Sequence, residues 1–160
     1  MLTFIKNLIK KNFNIDSNLS CDICDKYELR IFTAKLFLQM MYQDGKVTTN
    51  EENSVKNAIA DYFDLPLNEV DQLFLLSNDL FAYESQCSVL SQKINQQCSD
   101  QQKAKIIEHL WLIAYSDNNL HEKEEKMLMD ISKCLQVPHL ISHKAKLKAQ
   151  NFTADRKWTH

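Results

Sequence analysis

The chain states one pattern twice, at an offset of 73 residues. The first copy runs from Met40 through Tyr42, Asp44, Gly45, Lys46, Val47 and Thr48 to Glu51 and Glu52. The second runs from Ile113 through Tyr115, Asp117, Asn118, Asn119, Leu120 and His121 to Glu124 and Glu125. Upstream, Phe37, Met40, Met41 and Tyr42 correspond to Leu110, Ile113, Ala114 and Tyr115. Downstream, Val55, Ala58 and Tyr62 correspond to Leu128, Ile131 and Leu135. Each copy therefore reads as an apolar helix, a tight acidic turn, and a second helix whose apolar stripe starts at the same distance. Two such units can bury their apolar faces against each other, a physical reason for the duplication.

Glycine and proline, at one and two residues in 160, are too scarce for the frequent turns of an all-β fold. The expectation is an all-α chain, a compact bundle of about seven or eight helices built on the duplicated helix–acidic turn–helix unit. Apolar periodicity places helices over 26–42, 48–63, 66–84, 88–96, 100–116, 122–135 and 138–150. Residues 1–15, with Leu2, Ile5, Leu8 and Ile9 between lysines, read as an amphipathic helix or arm ahead of the main domain at 25–150. Residues 151–160 read as a tail, with Phe152 and Trp158 available to pin it.

An apolar fraction of 44 % argues against disorder, and a net charge of −2 gives no general attraction to nucleic acid or anionic membrane, so no nucleic-acid partner is expected. The five cysteines are odd in number and no secretory signal is evident, which points to reduced thiols and a cytoplasmic setting. No apolar run approaches the roughly 20 residues needed to span a bilayer. Cys21 and Cys24 have CxxC spacing, but no second pair accompanies them, so they read as ordinary thiols. His139 and His143 stand one helical turn apart and read as a polar face. Lys144, Lys146 and Lys148 make the C-terminal end basic, which suits a helix C-terminus. No glycine-rich phosphate loop can be drawn from a single glycine.

The two turns resemble the TerB-like family of tellurite-resistance proteins. The resemblance is carried by an apolar helix ending in Asp44-Gly45-Lys46-Val47, then a polar N-cap and the pair Glu51-Glu52. The second turn matches with Asn118 where glycine is usual. It covers roughly residues 25–150. A related domain stands beside the J-domain of a membrane-linked co-chaperone. The resemblance implies a bundle of about seven helices, a link to stress response, and a metal site made by the turn aspartates and following glutamates: Asp44, Glu51, Asp117 and Glu124. It implies no known catalytic activity.

The residues themselves admit two readings of those carboxylates. Gathered into one small cleft, four of them would repel one another and suit calcium or magnesium, with carbonyls of Gly45, Val47, Asn118 or Leu120 completing an oxygen shell. The spacing is not that of an EF-hand. Alternatively, Thr48 is an N-cap with Glu51 as its N3 partner, His121 and Glu124 repeat the arrangement, and the aspartates accept turn N–H groups. The function expected is a non-catalytic cytosolic binding or scaffold module, with a divalent cation as its cofactor and a protein partner whose identity the sequence leaves open. Two alternatives are a metal-assisted hydrolase using the acidic cleft, and a membrane-peripheral adaptor acting through the N-terminal segment.

Overall fold

The computed structural model describes residues 21–43, 47–81, 87–116 and 120–158, with side chains for 26–43, 47–81, 88–116 and 120–152. Seven α-helices make up this part: α1 (Cys21–Tyr42), α2 (Thr49–Phe63), α3 (Leu67–Asp79), α4 (Cys87–Gln97), α5 (Asp100–Ala114), α6 (Glu122–Cys134) and α7 (His139–Trp158). No strand occurs among the described residues. The N-terminal segment 1–15 lies outside them, so the reading of it as a helix or arm is not addressed.

Boundaries follow the local chemistry. Thr48 is the N-cap of α2, its hydroxyl accepting the Glu51 N–H at 3.2 Å. Ser99 caps α5 within a full capping box: its hydroxyl accepts the Gln102 N–H at 3.2 Å, and Gln102 Oε1 accepts the Ser99 N–H at 2.8 Å. Two expectations change. The third helix, predicted to reach 84, ends at Asp79, where Leu80 turns and its N–H bonds back to the carbonyls of Leu76 and Asn78. Leu80 is itself buried, so its side chain packs inward rather than continuing the stripe. The last helix, predicted to stop at 150, continues to Trp158, because no glycine or proline after Pro138 interrupts it.

The duplication is longer than the repeated turn suggested. Each second helix ends on a left-handed residue, Asp64 at φ 53° and Gln136 at φ 59°. Each is followed by an aliphatic residue whose N–H reaches back five positions, Leu65 to Ala60 carbonyl (3.1 Å) and Val137 to Ser132 carbonyl (2.9 Å). This is the bond of a Schellman termination. Pro66 and Pro138 come next and open α3 and α7. The repeated unit is therefore three helices, α1–α2–α3 and α5–α6–α7, with α3 packing on α1 as α7 packs on α5.

Helix α4 has no counterpart. It packs on α1 and on α6 and so joins the two units. Its Asn95 donates to the Cys134 carbonyl at the end of α6 (2.8 Å), and its Lys93 lies 3.7 Å from the fully buried Glu28 of α1.

The core lies where α1 and α5 meet. Phe37 is wholly buried and sets its ring edge-on to Tyr62 of α2 (6.5 Å) and His109 of α5 (6.1 Å). Nearer the helix starts, Lys26 and Arg30 share a cleft with Ser99 and Gln102. Both helices thus run in the same direction, from that cleft past the Phe37–His109 contact. Their C-terminal ends, and with them the starts of α2 and α6, lie at the opposite end of the bundle. Gln39 and Gln43 of α1 accordingly line a groove of about 320 Å³ with Lys123 and Met127 of α6.

Candidate functional site

The four carboxylates singled out in the sequence divide into two that are described and two that are not. Asp44 and Asp117 lie outside the described residues. Glu51 and Glu124 occupy equivalent N3 positions, in the first turns of α2 and α6. Both are buried, 6 % and 5 % exposed, whereas the neighbouring Glu52 and Glu125 are only half-buried. Glu124 Oε2 accepts the His121 N–H at 3.5 Å, so the N3 carboxylate reaches back to the N-cap as the capping reading requires. The same positions profit from the positive end of the helix dipole. Among the described residues, no group of three or more His, Cys, Asp or Glu side chains gathers at metal-binding range.

Other residues flagged in the sequence have plain placements. Cys98 and Cys134 are free thiols, half-buried. The side chains of Cys21, Cys24 and Cys87 fall outside the described set. The rings of His139 and His143 stack at 6.2 Å on the exposed side of α7. The lysines of α7 are partly engaged within the fold: Lys146 meets Glu125 of α6 and Lys148 meets Glu108 of α5, each at 2.6 Å. Hydrogen-bonding to Glu108 pushes Lys148 above its ordinary value. These contacts dock α7 on α5 and α6.

A second feature was not evident from the sequence. At the end of the bundle opposite Glu51 and Glu124, a cleft of about 870 Å³ opens between the start of α1, the end of α2 and the start of α5. Arg30 lies over the rings of Tyr27 (5.2 Å) and Phe63 (5.8 Å). His109 forms part of the floor; burial first, and then Lys105, press its imidazole below the ordinary value, against the opposing pull of Asp61 and Glu108. Its Nε2 lies 3.2 Å from Asp61 Oδ2, but not aligned for a hydrogen bond. Tyr62 donates to the Gln102 carbonyl at 3.4 Å, and its phenol is pushed well up, chiefly by burial and further by Cys98 beside it. Burial also pushes the Cys98 thiol up, outweighing Tyr62 and Lys103, which draw it down. These residues come from three helices far apart in sequence and from the connection between α4 and α5, and no local motif announces them.

The profile of the family described as Tellurite resistance protein TerB matches residues 30–147, from Arg30 at this cleft to Leu147 of α7. The chain belongs to the TerB family. That match takes in α1 from Arg30 onward, α2 to α6, and α7 as far as Leu147 of this TerB-family chain. Comparison with curated proteins and with solved structures returns no match. No helix among the described residues of this TerB-family chain is long and apolar enough to cross a membrane.

Proposed function

We propose that this chain is a non-catalytic, cytosolic binding module of the TerB type, tuned by a divalent cation held between its two acidic turns. Asp44, Glu51, Asp117 and Glu124 would be the ligands. The observation that carries the reading is the burial of Glu51 and Glu124 at matching positions of the two units. A buried carboxylate at the start of a helix can offer its oxygens to a hard cation as well as to the N–H groups it caps. Carboxylate and carbonyl oxygens are the donors that ions of the calcium or magnesium type take. Further support comes from the parallel course of α1 and α5, which brings the starts of α2 and α6 to one end of the bundle. When bound, the ion would fix the two helix starts relative to each other, and a protein partner would read that geometry.

The Cys98 thiol at the opposite cleft is pushed up by burial, away from the activated state of a nucleophile, in keeping with a non-catalytic reading. Calorimetric titration with calcium and magnesium tests the proposal, run beside a folded Asp44→Asn/Asp117→Asn variant. Saturable heat that disappears in the variant is expected. Equal heats from both proteins, or none from the parent at millimolar ion, would leave the carboxylates as helix caps.

A further inference from the structure

We propose that the cleft between α1, α2 and α5 is a binding site for a small organic phosphate, gripped by Lys26, Arg30 and Lys105. Charge is the first argument. The described residues that line the cleft carry three cations, against Asp61 as their one carboxylate. The chain as a whole has the opposite sign, with a net charge of −2. None of the three cations forms an ion pair among the described residues. Cys98, Tyr62 and His109, the remaining titratable lining groups, are all held neutral by burial at neutral pH.

Arg30 is the second. Its guanidinium is already oriented by the rings of Tyr27 and Phe63, and its Nε is buried with no hydrogen-bond partner. A planar guanidinium presents the fork of N–H donors that phosphate oxygens fit best. The start of α5 forms the facing wall through Ser99, Gln101 and Gln102, so the positive end of that helix dipole adds to the field of the lysines. Size and lining set the ligand class. The cleft falls within the usual range for small-molecule sites, roughly 300–1,000 Å³. Leu29 and Phe63 offer an apolar face for an organic body, which inorganic phosphate lacks. Asp61 lies on the rim, largely exposed and beside His109, where it would repel an anion placed too far toward α2 and so restricts where the phosphate sits.

The probe is phenyl phosphate, titrated by calorimetry and by amide shifts in the labelled full-length chain, with inorganic phosphate in parallel. Phenyl phosphate should bind saturably, more tightly than inorganic phosphate, and move the amides of Phe63 and of Ser99 to Gln102. Lys26→Gln/Lys105→Gln removes two exposed side chains, so the fold should survive, and affinity should drop at least about tenfold. Because the cleft lies at the far end from the starts of α2 and α6, the Asp44→Asn/Asp117→Asn variant should bind phenyl phosphate as the parent does. Absence of saturable binding at millimolar probe, unchanged affinity in the double-lysine variant, or loss of binding in the aspartate variant would each overturn the proposal.

Discussion

Replacing Phe37 by alanine should destabilise the chain by about 4–5 kcal/mol, the upper part of the usual Phe→Ala range of about 3–5 kcal/mol. The side chain is 0 % exposed and sits where α1, α2 and α5 converge, so truncation leaves a void bounded by three helices. Two edge-on ring contacts, at 6.5 Å with Tyr62 and 6.1 Å with His109, are lost with it. Domains of this size are stable by only about 5–15 kcal/mol, so the variant should fold at low temperature and unfold readily. Urea denaturation followed by circular dichroism measures the effect as a lower midpoint at an unchanged slope. Phe37→Leu, which keeps most of the volume, should cost less than about 1.5 kcal/mol. A second reading comes from His109. Its depressed titration is caused first by burial, so loosening the floor of the cleft should raise its midpoint toward that of an ordinary histidine, visible by NMR. A loss below about 1.5 kcal/mol in Phe37→Ala, or an unmoved His109 in a destabilised variant, would refute the reasoning.

Three further outcomes are expected. The depressed His109 imidazole means that the unfolded chain takes up this proton first on acidification. The stabilising contribution is therefore complete above the ordinary histidine value of about 6.5 and declines as the pH falls toward the folded value; His109→Gln should flatten that decline, measured by urea midpoints across the range. Thr48→Ala removes the hydroxyl that accepts the Glu51 N–H and should cost about 1 kcal/mol, with Thr48→Ser restoring most of it. Gln136→Gly relieves a left-handed residue at φ 59° and should add about 1 kcal/mol, or roughly 2–4 °C in Tm for a chain of this length; a lower Tm would show that the Gln136 side chain matters more than its backbone.

The helices were legible because amphipathic periodicity is a local signal: Val55, Ala58 and Ile59 form a buried stripe on α2, as their spacing predicts. The caps at Thr48 and His121 were legible for the same reason. The duplication was only partly read. Asp64-Leu65-Pro66 and Gln136-Val137-Pro138 repeat the termination, but at an offset of 72 rather than 73, because the second copy is one residue shorter there. The end of α3 could not be read, since Leu80 is as apolar as the helix before it and only its packing turns the chain. The cleft was invisible for a different reason. Lys26, Arg30, Lys105 and His109 each look like an ordinary helical residue, and only the parallel pairing of α1 with α5 gathers them.

Near-equivalent positions of α1 and α5 touch each other, Phe37 standing one residue out of register with His109. A lone three-helix unit would expose that surface to water and would have to associate with a twin to hide it. In one chain the two units meet as a tethered pair rather than through a concentration-dependent encounter. The tether also allows the two units to differ. Helix α4, which a symmetric pair has no place for, packs against α1 and α6, while α2 packs directly on α5. The phosphate cleft and the narrower groove beside α6 are thus unlike pockets in a body built of two similar units, and any ligand able to tell them apart is reading that asymmetry.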